Sequence, residues 1–279
     1  MDYYKDISVE QDLIAKISEQ KEKIEYQQRE LEESLRYAGS IQSALLPSER
    51  LIKRVFPESF ILFKPRDIVS GDFYWVQKRN SVIAVAAVDC TGHGVPGAFM
   101  SILGISFLNE IVHKCIPKAN VILNRLRENV MKTLHQTGER SEHKDGMDLA
   151  LCVIDIDKKE LQFSGAFNPM YLIRNEELIE VRGDKMPIGI APLEEKAFTN
   201  KTMDLLREDQ IYIFSDGFAD QFGGPDDRKF RYRPFKELLL GIHKQNMEKQ
   251  KSLLDKKFNQ WKGELEQVDD VLVIGLKIQ

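Results

Sequence analysis

Apolar residues recur every seven positions through the first part of the chain: Ile17, Ile24, Leu31, Ala38 and Leu45, with Ile14 and Leu35 on the neighbouring seam. From Asp12 to Leu46, Gly39 is the only glycine and there is no proline. This heptad pattern predicts a long helix of coiled-coil character. Lys21 and Gln28 fill the other seam positions, where polar groups lower stability and fix register. Pro47 predicts the end of the helix, because the residue before a proline is driven out of the α region. Residues 1–47 are read as a coiled-coil or signal-relay segment that forms a homodimer, and 48–279 as a second unit. A single amphipathic helix folded back on its own domain is the alternative.

From Ser59 the period shortens to that of strands broken by turns. Strands are predicted at Ser59–Phe63, Phe73–Gln77, Ser81–Val88, Leu149–Ile156, Glu160–Ser164, Met170–Arg174, Glu177–Val181, Gln210–Phe214 and Val271–Lys277. Helices are predicted over Gly97–Val112, Asn120–Gln136 and Arg233–Gln260, the last with Phe235, Leu238, Leu239 and Ile242 on one face. Hairpin-length links such as Lys158-Lys159 and Asn175-Glu176 imply antiparallel pairing. Helices are few and do not alternate strictly with strands. The predicted class is α+β, sheet packed on sheet with helices outside.

Composition adds a boundary and several exclusions. Forty basic and forty-four acidic side chains give a net charge of −4, which excludes a nucleic-acid binder that works through bulk positive charge. Residues 1–48 hold ten acidic and six basic side chains, and the remainder thirty-four of each. The whole imbalance therefore sits in the predicted helix. The longest apolar run, Val82 to Val88, is too short for a membrane span. Asp2 and Asp6 follow Met1 with no apolar core, so no secretory signal is expected. Three widely spaced cysteines, Cys90, Cys115 and Cys152, argue against a disulfide framework or zinc site and for a reducing cytoplasm.

The chemistry-bearing residues are aspartates at strand ends beside glycine. Ser70-Gly71-Asp72 opens one strand, and Asp89-Cys90-Thr91-Gly92-His93-Gly94 closes the next. If the hairpin turns between Asn80 and Ser81, Asp72 faces Asp89 at roughly 5 Å between Cβ atoms. Phe214-Ser215-Asp216-Gly217 ends a third strand, and Asp269-Asp270 begins a fourth. Convergence of all four places on one sheet rim is expected. Such oxygen-only clusters suit hard cations, Mg2+ or Mn2+, and two of these can activate a shared water toward a phosphoryl group. Asp-Gly at a strand end is also ordinary turn chemistry.

The motifs Gly71-Asp72-Phe73-Tyr74-Trp75, Val88-Asp89 through Gly92-His93-Gly94-Val95-Pro96-Gly97-Ala98, Ser164-Gly165-Ala166-Phe167-Asn168-Pro169, Pro187-Ile188-Gly189, Phe214-Ser215-Asp216-Gly217 and Asp269-Asp270 occur in this order. In this respect the chain, from about Ser48 to Gln279, resembles the SpoIIE-like branch of the metal-dependent (PPM, type-2C) serine/threonine phosphatases. The resemblance implies a β-sandwich of two antiparallel sheets flanked by helices. It implies that Asp89 bridges two metal ions and that the Cys90 carbonyl ligates one of them. Asp72 would complete that second site directly or through water, and Asp216 and Asp269 would hold the first ion. Asp269 fills the first position of the family's Asp-Asp/Asp-Asn pair, with Asp270 as the alternative. The implied reaction is hydrolysis of a phosphoserine or phosphothreonine ester by metal-activated water. The substrate would be a small regulatory protein of the anti-sigma-factor-antagonist type, and Tyr37–Pro47 matches the helix leading into such domains. A catalytically inactive, partner-binding phosphatase fold is the alternative.

Four more positions carry two readings each. Arg66 reads as a phosphate clamp or a surface ion pair. His93 reads as a leaving-group acid, although it stands one residue farther from the metal aspartate than in type-2C relatives. Asp148 reads as a third metal position or a strand-start carboxylate. Cys90 reads as packing rather than a nucleophile. His113, His135, His143 and His243 show no ligand spacing.

Overall fold

A computed structural model of the chain describes residues 2–137, 144–190 and 196–279. Helix α1 spans Asp2–Leu45, and Ile14, Ile17, Ile24 and Leu31 are each more than half exposed along it. Pro47 follows, and Ser48 caps a short helix α2 (Glu49–Val55) by accepting the Leu51 N–H at 3.3 Å. The sequence pattern did not reveal α2.

The body is two stacked five-stranded antiparallel sheets. The first has the order β2-β3-β4-β5-β8: Phe73–Arg79, Val82–Cys90, Met147–Asp155, Glu160–Ala166 and Lys201–Asp204. The second has the order β1-β12-β9-β6-β7: Ser59–Lys64, Val271–Lys277, Gln210–Phe214, Met170–Arg174 and Glu177–Val181. The predicted strands are therefore present. The edge strand β8 is new, since four residues with alternating exposure leave little hydrophobic signal.

Alternation along each strand explains the layering. In β3, Ile83, Val85 and Ala87 point into the core between the sheets, with Ile211, Ile213, Leu272 and Ile274 opposite. Ala84, Ala86 and Val88 point the other way, under helices α3 (Gly94–Ile111) and α4 (Ala119–Thr133). Burial on both faces is why β3 reads as one unbroken apolar run. On the second sheet, Tyr212, Phe214, Val271 and Val273 pack under α6 (Tyr232–Ile242) and α7 (Met247–Lys262). A short α5 (Gly217–Asp220) and a two-stranded ribbon, β10 (Phe222–Gly223) with β11 (Arg228–Lys229), lie between β9 and α6.

Two helix expectations change. The single helix predicted over Arg233–Gln260 is broken, because Asn246 caps α7 by accepting the Lys249 N–H at 2.8 Å. Helix α3 begins at Gly94, three residues early. By length and composition it is apolar enough to cross a membrane, but Met100, Ser101, Gly104, Ile105 and Leu108 are buried against the body.

Ile213 is fully buried and pairs with Ile274 and Met170 in the middle of the second sheet. Replacing it by alanine is expected to cost about 2–5 kcal/mol. Urea unfolding should show an earlier midpoint at unchanged slope.

Candidate metal centre

The β2–β3 hairpin has the expected register. Phe73 pairs with Val88 and Arg79 with Val82, and Asn80 takes the left-handed turn conformation at φ 54°. Asp72 and Asp89 therefore sit one step beyond the last strand pair. The next pairing, β3 with β4, sets Asp89 opposite Asp148. Three carboxylates thus share one end of the first sheet.

The other carboxylates belong to the second sheet, which corrects the expectation of a single rim. Strand β9 pairs with β12 and β6, not with β3. Pairing of Phe214 with Val273 and a bond from the Ser215 N–H to the Leu272 carbonyl (3.0 Å) carry Asp216 toward Asp269 and Asp270. Stacking the sheets to bury their inner faces brings the two strand-end clusters together at one mouth.

A cavity of about 220 Å³ occupies this mouth. Among the described residues its walls are Asp89, Cys90, Thr91, Gly92, His93, Asp148, Asp216 and Asp269, four carboxylates with no lysine or arginine among them. Burial and mutual repulsion push every one of these acids toward its protonated form. Asp89 is raised well above the usual carboxylate range by burial first, then by Asp216 and Asp269. Burial and Asp216 push Asp148 up to about 7. Burial and Asp269 push Asp216 up to about 6, against a smaller opposing pull from Lys229. Asp269 is raised mainly by burial, with the Asp270 N–H at 2.8 Å working against it.

Asp72 lies behind this wall, 2% exposed. Burial and Asp89 raise it strongly, while a hydrogen bond from Ser215 holds it down. Its Oδ2 is buried without any hydrogen-bond partner, and such an orphaned charged oxygen calls for a cation, a proton or a water. Asp270 is engaged differently. One oxygen accepts the Arg66 N–H and the other the Gly71 N–H, each at 2.7 Å. It clamps the loop before β2 and does not line the cavity. Arg66 donates to the Val268 carbonyl at 3.1 Å and is likewise absent from the walls. Among the described residues, no three His, Cys, Asp or Glu side chains are closed into a ready cage around one point. The carboxylates line a space and do not converge on a spot.

Glycine lets the backbone pass close to this space. A Cβ on Gly71 would stand 2.5 Å from the Gly92 carbonyl, and one on Gly217 would stand 2.0 Å from the Asp270 carbonyl. Helix α3 starts at the cavity wall with His93 as its N-cap. The His93 side chain does not cap the helix. Its Nδ1 lies 3.1 Å from Asp67 Oδ2. Cys90 is 3% exposed in the core under α3, as packing requires. His113 and His135 are exposed and His243 half-buried, all away from the cavity; His143 lies outside the described residues.

Sequence reasoning missed four participants. Ser215 supports Asp72 and accepts the Leu272 N–H at 3.1 Å. Thr91 accepts the Gly146 N–H at 3.0 Å, tying the cavity wall to the approach to β4. Asp67 orients His93. Gln42 of α1, 6% exposed, donates to the Ser70 carbonyl (2.6 Å) and to Ser101 Oγ (2.7 Å), and accepts the Ser70 N–H at 3.0 Å. Ser215 and Thr91 lie inside the quoted motifs and were in reach. Gln42 gave no signal, since a glutamine on a charged helix reads as solvent-facing.

Two antiparallel sheets face to face, helices on both outer faces and an acidic mouth between strand ends define a PP2C-type (PPM) phosphatase fold. The comparisons agree. Residues 79–279 match the family model for stage II sporulation protein E (SpoIIE). The SiaA-PP2C domain of Pseudomonas aeruginosa is 30% identical, with a TM-score of 0.82 over 90% of this chain and 98% of that one. The PP2C phosphatase domain of SpoIIE from Bacillus subtilis, solved with a fragment of its regulatory domain, is 21% identical, with a TM-score of 0.66 over 79% of this chain and 63% of that one. The RsbU and RsbW domains of a Mycobacterium tuberculosis protein are 18% identical, with a TM-score of 0.62 over 80% of this chain and 60% of that one. No curated protein sequence matches. The chain belongs to the SpoIIE family of PP2C-type phosphatases.

Ser215 sits at the junction between the sheets, where its Oγ accepts the Leu272 N–H at 3.1 Å. Ser215→Ala is expected to destabilise the protein by about 1–3 kcal/mol, because the Leu272 N–H loses its partner in a buried setting. Urea unfolding measures this, and a loss below the experimental error would contradict the role.

Proposed function

We propose that this chain is a metal-dependent serine/threonine protein phosphatase acting on a phosphorylated regulatory protein. The observation that carries this reading is the mouth itself: four carboxylates around one cavity with no cationic side chain among the described residues, backed by the Oδ2 of Asp72, which has no partner among them. That donor set, all oxygen and strongly anionic, fits Mg2+ or Mn2+. In this reading Asp89, Asp216, Asp269 and Asp72, with the Cys90 carbonyl, would hold the cations. Asp148, opposite Asp89, suits a third and weaker position. When bound, such cations would lower the pKa of an attacking water and offset the charge of the phosphate.

The chain's own groups do the rest. The N-terminus of α3 presents N–H groups and the positive end of the helix dipole to an incoming phosphate. His93 is held through Nδ1–H by Asp67; in its imidazolium form it also carries a proton at Nε2, which it would give to the departing serine or threonine oxygen, returning to the neutral ring. Arg66 donates to the Val268 carbonyl and does not line the cavity, which favours the helix end as the anion holder. Asp270 keeps the Asp72 loop in place, and Asp269 supplies the side chain that faces the cavity. An inactive binding module is the weaker reading, because every acidic motif position is present and all but Asp270 sit in or directly behind the mouth.

The N-terminal helix supplies the control. Its exposed stripe, Ile14, Ile17, Ile24 and Leu31, suits pairing with the same helix of a second copy. Its last turns grip the loop that carries Asp72 through Gln42. Movement of the helix pair would thus reach a metal-site carboxylate through two hydrogen bonds.

Phosphate release from a phosphoserine protein with Mn2+ tests the activity. Asp89→Asn and Asp216→Asn should each cut the rate on the order of a hundredfold or more, and activity surviving both refutes the metal assignment. Gln42→Ala should raise the Mn2+ concentration needed for half-maximal rate several-fold, on the order of 1 kcal/mol for a lost buried hydrogen bond; an unchanged requirement removes Gln42 from the control path. For the dimer, sedimentation should give twice the chain mass for the full chain and a single chain mass for Ile17→Asp with Ile24→Asp. Equal masses would dismiss the helix pair.

A further inference from the structure

At the opposite end of the sandwich a second cavity, about 630 Å³, opens between the sheets. Its walls come from the end of α2, the last residues of β2, the start of β3, the turn after β4, residues 205–207 and the end of β12. The floor is the bare end of the inter-sheet core: Phe56, Ile83 and Leu205 are at most 5% exposed. Ile156 and Leu206 stand at the opening, 46% and 47% exposed. A volume of this size lies within the range of roughly 300–1,000 Å³ typical of small-molecule sites.

The side-chain charge at this cavity is one-sided. Arg54, Lys78, Lys159 and Arg207 line it, and among the described residues no aspartate or glutamate does, the chain-terminal Gln279 carrying the one carboxylate at its edge. None of these four forms an ion pair among the described residues. A fifth cation, Lys277, is taken by Glu208 at 2.6 Å. Four unpaired cations therefore gather at an apolar hole, in a part of the chain (residues 49–279) that carries no net charge. They surround one concave opening and do not run along a face, the layout a nucleic acid or other long polyanion would need.

We propose that this cavity binds a small amphipathic organic anion. Its acyl or aryl body lies on the Phe56–Ile83–Leu205 floor, and a carboxylate, phosphate or sulfonate group is held by the rim cations. The site is separate from the acidic mouth, at the far ends of the same strands β2, β3 and β12.

Fluorescence titration of the full chain with anilinonaphthalene sulfonate tests the proposal, with neutral phenylnaphthylamine as the uncharged counterpart. A saturable site of one dye per chain is expected, with the neutral probe binding more weakly. Charge reversal, Lys78→Glu with Lys159→Glu, should weaken the dye about tenfold or more, and the milder pair Lys78→Gln with Arg207→Gln several-fold. The milder pair carries the test if the reversed pair does not fold. Unchanged affinity in the variants, or equal binding of the neutral probe, overturns the proposal. Dye displaced by raising the protein concentration also overturns it, because a second copy would then fill the hole.

Discussion

Asp72, Asp89, Asp148, Asp216 and Asp269 are held near one another by strand registers that cannot relax without unpairing a sheet. Two such charges about 5 Å apart repel by roughly 3 kcal/mol at an effective dielectric near 20. Burial adds to the cost, which is why each of these acids is pushed toward its protonated form. The sandwich tolerates this because its inner faces bury a continuous apolar core behind the mouth. Fold stability and site chemistry thus pull in opposite directions, and under the proposed function a divalent cation would offset the repulsion that the fold imposes.

The long helix bears on the same balance. Its free stripe and its anchored end use different parts of the sequence. Leu35 and Gly39 turn toward the body, and a Cβ on Gly39 would come within 2.9 Å of the Ile68 carbonyl. Gln42 then bonds to both backbone polar groups of Ser70, two residues before Asp72. The heptad seam is therefore shared. Ile14, Lys21 and Gln28 are left to solvent or a partner, while Leu35 and Gln42 belong to the body.

Much of this was legible from residue order. Strict alternation and an asparagine turn were enough to place Asp72 beside Asp89, because a two-residue hairpin fixes register. The doubly buried β3 announced itself as an apolar run. What pattern could not supply was partnership between distant strands. The end of Gln210–Phe214 was expected beside the start of β12, as observed, but nothing local says that this pair lies in a different sheet from β2 and β3, so one rim was expected where two sheets meet. Polar residues facing inward were equally hidden. Ser215 and Gln42 look ordinary until the groups they satisfy, the Asp72 carboxylate and the Ser70 backbone, are placed next to them. Asp269 and Asp270 are neighbours of the same type, and only geometry shows one facing the cavity and the other holding a loop.

If the acidic mouth holds cations, calorimetric titration of the full chain with Mn2+ will detect them without any substrate. Two ions per chain should bind, with release of protons. Binding should weaken as pH falls through about 7 and about 6, where Asp148 and Asp216 take up protons. Asp72→Asn, which keeps the shape and removes the buried charge, should lower the affinity for one of the two ions. No saturable Mn2+ binding, or binding indifferent to both pH and Asp72, would contradict the metal assignment.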